Sequence, residues 1–497
     1  MIRGILLPAS KPNIVLIMTD QQRADFFASE GFPVDTMPFV DSLGRSGTRF
    51  ARAYTPIPIC SPARTSMLTG RYAKATRVKQ NWDMAKSVIV DKDLPQVLRE
   101  HGYTVNLAGK NHSYLDASAF DFHGGPYSHT HGPADRASAS ERESDQWLFD
   151  LDHRVASEPT PFPLENQLCH RIVSDAIACV DQNRDNPYFL WLSLPEPHNP
   201  YQAPEPYFSM FSPDDMPDRF AGPQASMAKG GKWQWLRTLE EEKRPGYDED
   251  WRRYRALYCG MLRMIDDQVR RFVDHLKANG TYENTIILFL ADHGDYAGDY
   301  GLQRKGAGLP ECLVRIPFLA TGPGIRPNDD RTDFISLVDV MPTLCEAIGA
   351  EIPFGCQGRS FWPILAGEPY PADEFSSVYS EIGFGSLPYG PEERPPLHFP
   401  YDGPTYDELN SVTQSGNTKM VRKGDWKLIY ELMGRAELYD LAADPGELNN
   451  LYDDPAYAAR KTEMLEELLY WTVRTEDPLP RAKYLPKTAA RNWYRGG

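Results

Sequence analysis

Five short apolar runs, separated by longer amphipathic stretches, limit this sequence to an α/β fold. Runs of this length and composition are typical of strands that are buried within a sheet. The clearest helical stretch extends from about Trp251 to Asn279, with one apolar stripe and Gly280 after it. Alternation of such strands and helices indicates an α/β core. The five predicted strands are Asn13 to Met18, Thr104 to Ala108, Tyr188 to Leu194, Thr285 to Ala291 and Pro317 to Ala320.

The pattern changes after about Asp373, where strand-like runs are joined directly by turns and followed by a helix near Ala456 to Thr475. Strands joined by turns and followed by a helix are typical of a small α+β domain. We therefore predict a larger domain over residues 1–373 and a smaller one over residues 374–497. Residues 383–406 are rich in proline, glycine and aromatic side chains, so we expect little regular structure there.

Composition excludes several functional classes. The formal net charge of −16 argues against a nucleic-acid surface, so an anionic substrate would have to meet a local cluster of cations. No apolar stretch is long enough to span a bilayer, and the first twenty residues do not resemble a secretory signal. Seven cysteines without a CxxC pair indicate neither a disulfide framework nor a structural zinc site. We expect a cytoplasmic protein without membrane or nucleic-acid partners.

The stretch "CSPARTSMLTGR" predicts a short helix with Cys60 at its start. Ser61 can act as its N-cap, Pro62 suits its first turn and Gly70 its end. Arg64 lies one turn after Cys60, so both side chains can face an anion near the unpaired N–H groups of the helix. A buried structural cysteine is the alternative, and these features alone favour it.

Polar residues follow the predicted strands at their carboxyl ends, which is where open α/β sheets bind ligands. The first strand leads into Asp20 and Gln21, and the strand that ends at Ala291 leads into Asp292 and His293. Two further strands are followed by "GKNH", with Lys110 and His112, and by "PEPHNP", with His198. We therefore predict that these side chains and Cys60 form one site.

Several motifs of the sequence together resemble those of a known enzyme family. "CSPARTSMLTGR" resembles the signature of type I sulfatases in the alkaline phosphatase superfamily, and so in order along the chain do "GKNH", "PEPH", "DHGDYAGDYGLQRKG" and "ELYDLAADPGELNNL". The resemblance implies a large mixed sheet flanked by helices, with a smaller C-terminal α+β domain that contains an antiparallel sheet. It also implies that Cys60 is oxidised to formylglycine by a formylglycine-generating enzyme.

In the family, one hydroxyl of the hydrated formylglycine attacks sulfur. For this chain the resemblance implies that Arg64 and a divalent cation lower the pKa of that hydroxyl. The implied ligands of the cation are Asp20, Gln21, Asp292, His293 and residue 60. Calcium is expected, with magnesium as the alternative, because most of these donors are hard oxygens. Gln21 and His293 stand where many relatives have Asp and Asn, so the site has less negative charge.

The remaining implied roles concern sulfate and protons. Lys110 and Lys305 would hold the sulfate oxygens, although exposed surface lysines are the alternative. His198, with Lys305, would protonate the leaving oxygen, and His112 would take a proton from the second hydroxyl of residue 60.

Three functional classes remain open. The first is a sulfuric ester hydrolase acting on a sulfated carbohydrate, an aryl sulfate or choline sulfate. The second is a phosphonate monoester or phosphodiester hydrolase, and the third is a non-catalytic protein that binds anionic glycans. Lys110 and His112 favour a sulfatase, and we expect a carbohydrate sulfate as substrate. A homo-oligomer is compatible with the sequence.

Two features near the predicted site have two interpretations each, and a third residue matches the family only in its approximate position. Trp233 and Trp235 form either a lid for a sugar or a packed surface loop. The histidine-rich stretch around His129 is either a loop near the entrance of the substrate-binding site or a second metal site. Asn81 falls where the family places a polar residue that contacts sulfate.

Overall fold

The structure, a computed structural model, describes residues 11–81, 88–152, 154–390, 392–397, 408–484 and 487–495. Its strands are β1 (Asn13–Asp20), β2 (Thr48–Phe50), β3 (Ala53–Tyr54), β4 (Thr104–Gly109), β5 (Phe122–Gly124), β6 (Tyr188–Pro197), β7 (Thr285–Ala291), β8 (Arg315–Ile316), β9 (Phe318–Thr321), β10 (Asp329–Arg331), β11 (Ile335–Ser336), β12 (Ser377–Gly385), β13 (Gly416–Lys423), β14 (Trp426–Glu431) and β15 (Glu437–Asp440).

The strands alternate with helices over the first two thirds of the chain. The helices are α1 (Pro38–Arg45), α2 (Cys60–Thr69), α3 (Ala73–Thr76), α4 (Leu94–Glu100), α5 (Ala139–Leu151), α6 (Leu168–Gln182), α7 (Pro223–Lys229), α8 (Gly231–Lys243), α9 (Trp251–Ala278), α10 (Glu311–Val314), α11 (Val340–Ala347), α12 (Trp362–Ala366) and α13 (Ala458–Arg474).

A mixed eight-stranded sheet forms the centre of the molecule, in the order β10-β2-β9-β7-β1-β6-β4-β5. Strands β7, β1, β6, β4 and β5 are parallel, whereas β9 is antiparallel to both of its neighbours. Parallel strands that lie side by side end at the same edge, so their following residues meet there. All five predicted strands are present, four of them in this parallel block, and the α/β prediction is confirmed.

Strand β1 is buried on both faces because helices cover each side of the sheet. Ile14, Leu16 and Met18 belong to one apolar core, together with residues of α2 and α11. Val15 and Ile17 belong to a second core, on the side of α6 and α9. This two-sided burial explains the continuous apolar run in the sequence.

The C-terminal part contains a four-stranded antiparallel sheet, β12-β13-β14-β15, on which α13 packs. The prediction of a smaller α+β unit with an antiparallel sheet is confirmed. Val378 and Met420 of this sheet also lie in the first apolar core, so the two parts share buried contacts. The boundary between residues 373 and 374 stays a prediction. Among the described residues, no helix has the length and apolar character needed to cross a bilayer.

Candidate active site

Four parallel strands bring the predicted site residues to one edge of the central sheet. Asp20 is the last residue of β1, and Lys110, His198 and Asp292 each follow directly after β4, β6 and β7. Gly109 allows β4 to approach β6 closely, because a Cβ there would lie 2.0 Å from the carbonyl oxygen of Ser193. Its φ of 108° also suits glycine. Lys110 is thereby fixed beside the site.

Helix α2 begins at Cys60, so Ser61 lies inside the helix and the predicted Ser61 N-cap is wrong. Ile59 holds the N-cap position without a side-chain cap. The Ser61 N–H instead donates to Oδ1 of Asn81 at 3.2 Å, so a residue distant in sequence satisfies it. Gly70, in the left-handed region, ends the helix as predicted. Cys60 is 1% exposed at the start of this helix.

Asp20, Cys60, Asp292 and His293 form a buried cluster that fits a divalent cation. One ligand atom from each lies within 4.8 Å of the others. His293 Nδ1 lies 2.9 Å from the carbonyl oxygen of Gly294, so it donates there and leaves the Nε2 lone pair facing the cluster. Nε2 lies 3.2 Å from Sγ of Cys60 and 3.7 Å from Oδ1 of Asp20.

Arg64 holds the two carboxylates of this cluster in place. Its guanidinium donates to Oδ2 of Asp292 at 2.9 Å and to Oδ2 of Asp20 at 3.0 Å. Each carboxylate therefore turns its Oδ1 towards His293. A further N–H of Arg64 donates to the hydroxyl of Ser193 at 2.9 Å. Arg64 contacts the carboxylates in this structure, and its predicted effect on the nucleophile stays a prediction.

Lys110 adds a second cation beside Asp20. Its Nζ lies 2.6 Å from Oδ2 of Asp20, and the lysine is 5% exposed, so it is not a solvated surface lysine. Burial alone would raise the pKa of Asp20, but the positive charges beside it, Lys110 and Arg64 among them, lower it well below its usual range. Asp20 is thus a carboxylate at neutral pH, as a cation ligand must be.

Gln21 connects the cluster to Lys305. Its Nε2 donates to Oδ2 of Asp295 at 2.7 Å and to the hydroxyl of Tyr201 at 3.1 Å. Its Oε1 accepts from Nζ of Lys305 at 2.8 Å. Every polar group of this amide is therefore engaged, and the predicted role of Gln21 as a cation ligand stays a prediction.

Lys305 and His198 are in contact with each other at the site. Nε2 of His198 lies 3.3 Å from Nζ of Lys305, and its Nδ1 donates to the carbonyl oxygen of Asn199 at 2.7 Å. Burial, with Lys305 next, lowers the pKa of His198 well below its usual value. His198 is therefore neutral at neutral pH, and its Nε2 accepts a hydrogen bond from the ammonium. The ring of His129 lies 4.7 Å from that of His198.

His112 sits on the turn after β4 in a left-handed backbone conformation, with φ of 46°. Its Nδ1 is buried and has no hydrogen-bond partner among the residues that the structure describes. Burial, followed by the charges of Lys110 and Arg64, lowers the pKa of His112 well below its usual value. His112 is therefore neutral at neutral pH, which is the form of the imidazole that can accept a proton.

Trp233 and Trp235 do not form a lid. Both lie on α8 and are 6% and 8% exposed, within an apolar cluster that includes Tyr296, Tyr300 and Leu313. The ring of Trp233 lies 5.0 Å from that of Tyr300. The lid prediction is therefore wrong, because these rings are already covered by protein and present no face to a sugar.

The histidines of the histidine-rich stretch contact different partners and do not converge on one point. His123 stacks on Phe120 at 5.9 Å, and Nδ1 of His131 lies 2.8 Å from the hydroxyl of Ser128. Within the ranges that the structure describes, the cluster around Cys60 is the group of side chains close enough to hold a metal ion. The stretch is thus a loop whose His129 reaches the site.

Asp295 is a site residue that the sequence analysis missed. Its carboxylate accepts hydrogen bonds from Gln21, from the hydroxyls of Tyr201 and Tyr254 at 2.7 Å each, and from the Arg304 N–H. The sequence could have indicated Asp295, because it is the second carboxylate of "DHGD", three residues after Asp292. Asp295 does not belong to the cation cluster, and it fixes Gln21 instead.

We expect Glu196 to make the stability of the fold depend on pH between 4.5 and about 7. It lies two residues before His198, and its Oε1 accepts the Cys169 N–H at 3.0 Å at the start of α6. Burial raises the pKa of Glu196 from 4.5 to about 7. Because the folded chain then keeps a proton that the unfolded chain releases, the free energy of unfolding falls as pH rises from 4.5 to about 7, by up to about 3 kcal/mol.

We predict that Glu196→Gln removes this dependence, since the amide has no proton to release. The measurement is the urea midpoint of the wild type and the variant at pH 5 and pH 8, with exposed Glu205→Gln as a control. The wild type and Glu205→Gln should lose more stability between the two pH values than Glu196→Gln. Equal losses in all three proteins would contradict the assignment to Glu196.

Comparison with known proteins adds to this geometry. A family model described as Sulfatase matches residues 12–350, and one described as N-sulphoglucosamine sulphohydrolase, C-terminal, matches residues 401–474. The chain is 29% identical to the multifunctional alkaline phosphatase superfamily protein PehA of Trinickia caryophylli, over 94% of this chain and 96% of the relative. It is 27% identical to an arylsulfatase of Clostridium perfringens strain 13, over 90% and 92% of the two chains.

A solved structure of similar fold is the phosphonate monoester hydrolase of Agrobacterium radiobacter. The TM-score is 0.77 at 24% identity, and the match covers 95% of this chain and 97% of the other. The likeness extends over both parts of the chain and agrees with the mixed sheet and the smaller antiparallel sheet described above.

Proposed function

Because this chain belongs to the sulfatase family of the alkaline phosphatase superfamily and is a sulfuric ester hydrolase, we propose that it removes sulfate from a sulfated carbohydrate with formylglycine at position 60. One observation carries the mechanism. The Cys60 side chain belongs to the buried cluster with Asp20, Asp292 and His293; Lys110 contacts Asp20 of this cluster, and Lys305 contacts the adjacent Gln21. The N-sulphoglucosamine sulphohydrolase match in the C-terminal part supports a sugar substrate.

The surroundings of Cys60 suit the proposed modification. Its Sγ marks the place where the modified side chain would present an oxygen, next to His293 and Asp20. An aldehyde hydrate at this position would supply the nucleophile for attack on sulfur. The structure contains a cysteine here, and the two carboxylates and the imidazole around it are the groups that would orient the hydroxyl.

Asp20, Asp292, His293 and residue 60 would hold the divalent cation. When bound, it would act as a Lewis acid that favours the ionised form of the nucleophile and offsets the charge of the sulfate. We propose calcium, with magnesium as the alternative, from the carboxylate oxygens of the set. The imidazole nitrogen of His293 is a less usual donor for either ion, so metal content must be measured directly.

The remaining proposed roles, sulfate binding and proton transfer, belong to two lysines and two histidines. Lys110 and Lys305 would bind the sulfate oxygens and stabilise the charge that develops in the transition state. Lys305 would also supply the proton for the leaving oxygen, because it is the charged member of its pair with His198. His198 would orient that ammonium through Nε2. His112, neutral and with an unpartnered Nδ1, would accept the proton of the second hydroxyl.

A panel assay with the cation-loaded, matured enzyme tests the proposed substrate. We expect higher kcat/KM for a sulfated sugar than for an aryl sulfate, choline sulfate or a phosphonate monoester. Lys110→Ala should lower turnover of all sulfate esters by about 10²- to 10³-fold, since it removes a donor to the sulfuryl group. Lys427→Ala, which removes a buried lysine from an ion pair with Glu447, controls for loss of stability.

The outcomes separate the competing functions. Preference for the phosphonate monoester would favour the second class, a phosphonate monoester or phosphodiester hydrolase. Preference for an aryl or choline sulfate would keep the sulfatase chemistry and reject the carbohydrate. An absence of turnover with every ester, in protein shown to carry the aldehyde and the cation, would contradict the proposal as a whole.

A further inference from the structure

Arg304, directly before Lys305, forms a buried ion-pair cluster outside the site described above. Its guanidinium lies 2.9 Å from Oε2 of Glu408 and 3.6 Å from Oε1 of Glu240. All three side chains are at most 1% exposed. Buried charges of this kind are stable only when they are paired, so removal of one partner has a large local effect. We call these three residues the Arg304 cluster.

The Arg304 cluster joins three distant segments of the chain. Glu240 belongs to α8, Arg304 to the loop after β7, and Glu408 to the segment that leads into β13. That last segment also packs on the residue after Lys305. Nε2 of Gln414 donates to the carbonyl oxygen of Gly306 at 2.9 Å, and a Cβ at Gly306 would lie 2.9 Å from the Glu408 carbonyl oxygen. Both neighbours of Lys305 are therefore held by the segment around Glu408.

The backbone at Arg304 needs such support. Its φ is 62°, a left-handed conformation that is unfavourable for a non-glycine residue. The Arg304 N–H donates to Oδ1 of Asp295 at 3.1 Å, and the other oxygen of this carboxylate fixes Gln21. Gln21 in turn accepts from the Lys305 ammonium. Lys305 is thus held at its ammonium by Gln21 and at its backbone by the turn of Arg304.

We propose that Glu408 is a positioning residue that, through Arg304, holds the turn from which the Lys305 ammonium reaches the leaving oxygen. The inference rests on the proposed function, in which Lys305 supplies the proton. The C-terminal segment thereby completes the leaving-group side of a site whose other residues come from the larger part.

A series of aryl sulfates with phenols of graded acidity tests this role. Glu408→Gln should lower kcat/KM by about 10- to 100-fold for the least acidic phenol, because that leaving group needs the proton of a well-placed Lys305. Esters of acidic nitrophenols depart without a proton and should change by less than about 3-fold. The plot of log kcat/KM against leaving-group pKa should therefore become steeper in the variant.

Two variants make the result specific. Glu447→Gln removes another buried carboxylate of the C-terminal part, paired with Lys427 at 2.8 Å, and should leave the slope of the plot unchanged. Glu408→Asp keeps the charge and should restore most of the wild-type slope. An equal loss for all phenols in Glu408→Gln would overturn the positioning role, as would a wild-type slope. A wild-type enzyme that hydrolyses no sulfate ester would contradict the proposed function, and this inference with it.

Discussion

Cys60→Ala should lower kcat/KM for every sulfate ester by about 10⁴-fold or more, the loss expected when a covalent nucleophile is removed. Alanine retains the helix and leaves Asp20, Asp292 and His293 in place, so the fold should not change. The measurement is turnover, combined with mass spectrometry of the tryptic peptide that spans residues 53–64. In active wild-type protein this peptide should contain the aldehyde or its hydrate in place of the thiol.

Cys345→Ala provides the matched control, because Cys345 is equally buried but lies on α11, away from the cluster. It should retain the wild-type kcat/KM. Full turnover by Cys60→Ala would show that residue 60 does not supply the nucleophile. Wild-type protein that is fully active with an unmodified Cys60 thiol would contradict formylglycine while leaving the site itself intact.

Asp20→Asn should abolish both cation retention and turnover, the latter by about 10³-fold or more. The substitution removes one of the two carboxylates of the cluster, and it leaves Lys110 and Arg64 with less compensating charge in a buried site. Such a loss can cost about 3–5 kcal/mol of stability. Metal analysis after dialysis, a melting curve and the rate should therefore be measured on the same preparation.

The control for this variant is Asp339→Asn. Asp339 and Arg359 form a comparably buried ion pair, each 1% exposed, that belongs to no part of the site. This variant should lose stability but keep the cation and most of the activity per folded molecule. Retention of the cation by Asp20→Asn, with a normal rate, would show that the cluster is not the metal site.

The fold and much of the site could be predicted from sequence because both depend on local patterns. Buried strands are visible as apolar runs, and in a parallel block the residue after each run must lie at a common edge. Asp20, Lys110, His198 and Asp292 follow this rule, and no knowledge of tertiary contacts was needed to bring them together. Family motifs then extended the prediction to Lys305, which lies further from its strand.

The errors and omissions concern contacts between distant segments. The start of α2 depends on Asn81, twenty residues after Ser61, and no local pattern reveals this. Whether Trp233 is buried depends on Tyr300, which is far away along the chain. Asp295 was missed because its contact with Gln21, and that of Gln21 with Lys305, join segments that lie far apart in the sequence. Glu408 carries no recognisable motif at all.

Under the proposed modification of residue 60, the burial of Cys60 limits when the oxidation can take place. In the folded chain this side chain is 1% exposed, at the start of a helix of which every residue is buried. A separate enzyme that oxidises the thiol must bind the peptide around it, which the closed core does not permit. The modification would therefore have to precede completion of the central sheet, on the ribosome or in an unfolded chain. Protein that folds before this step would keep its thiol. The active fraction of a preparation would therefore depend on the rate of Cys60 oxidation relative to the rate of folding.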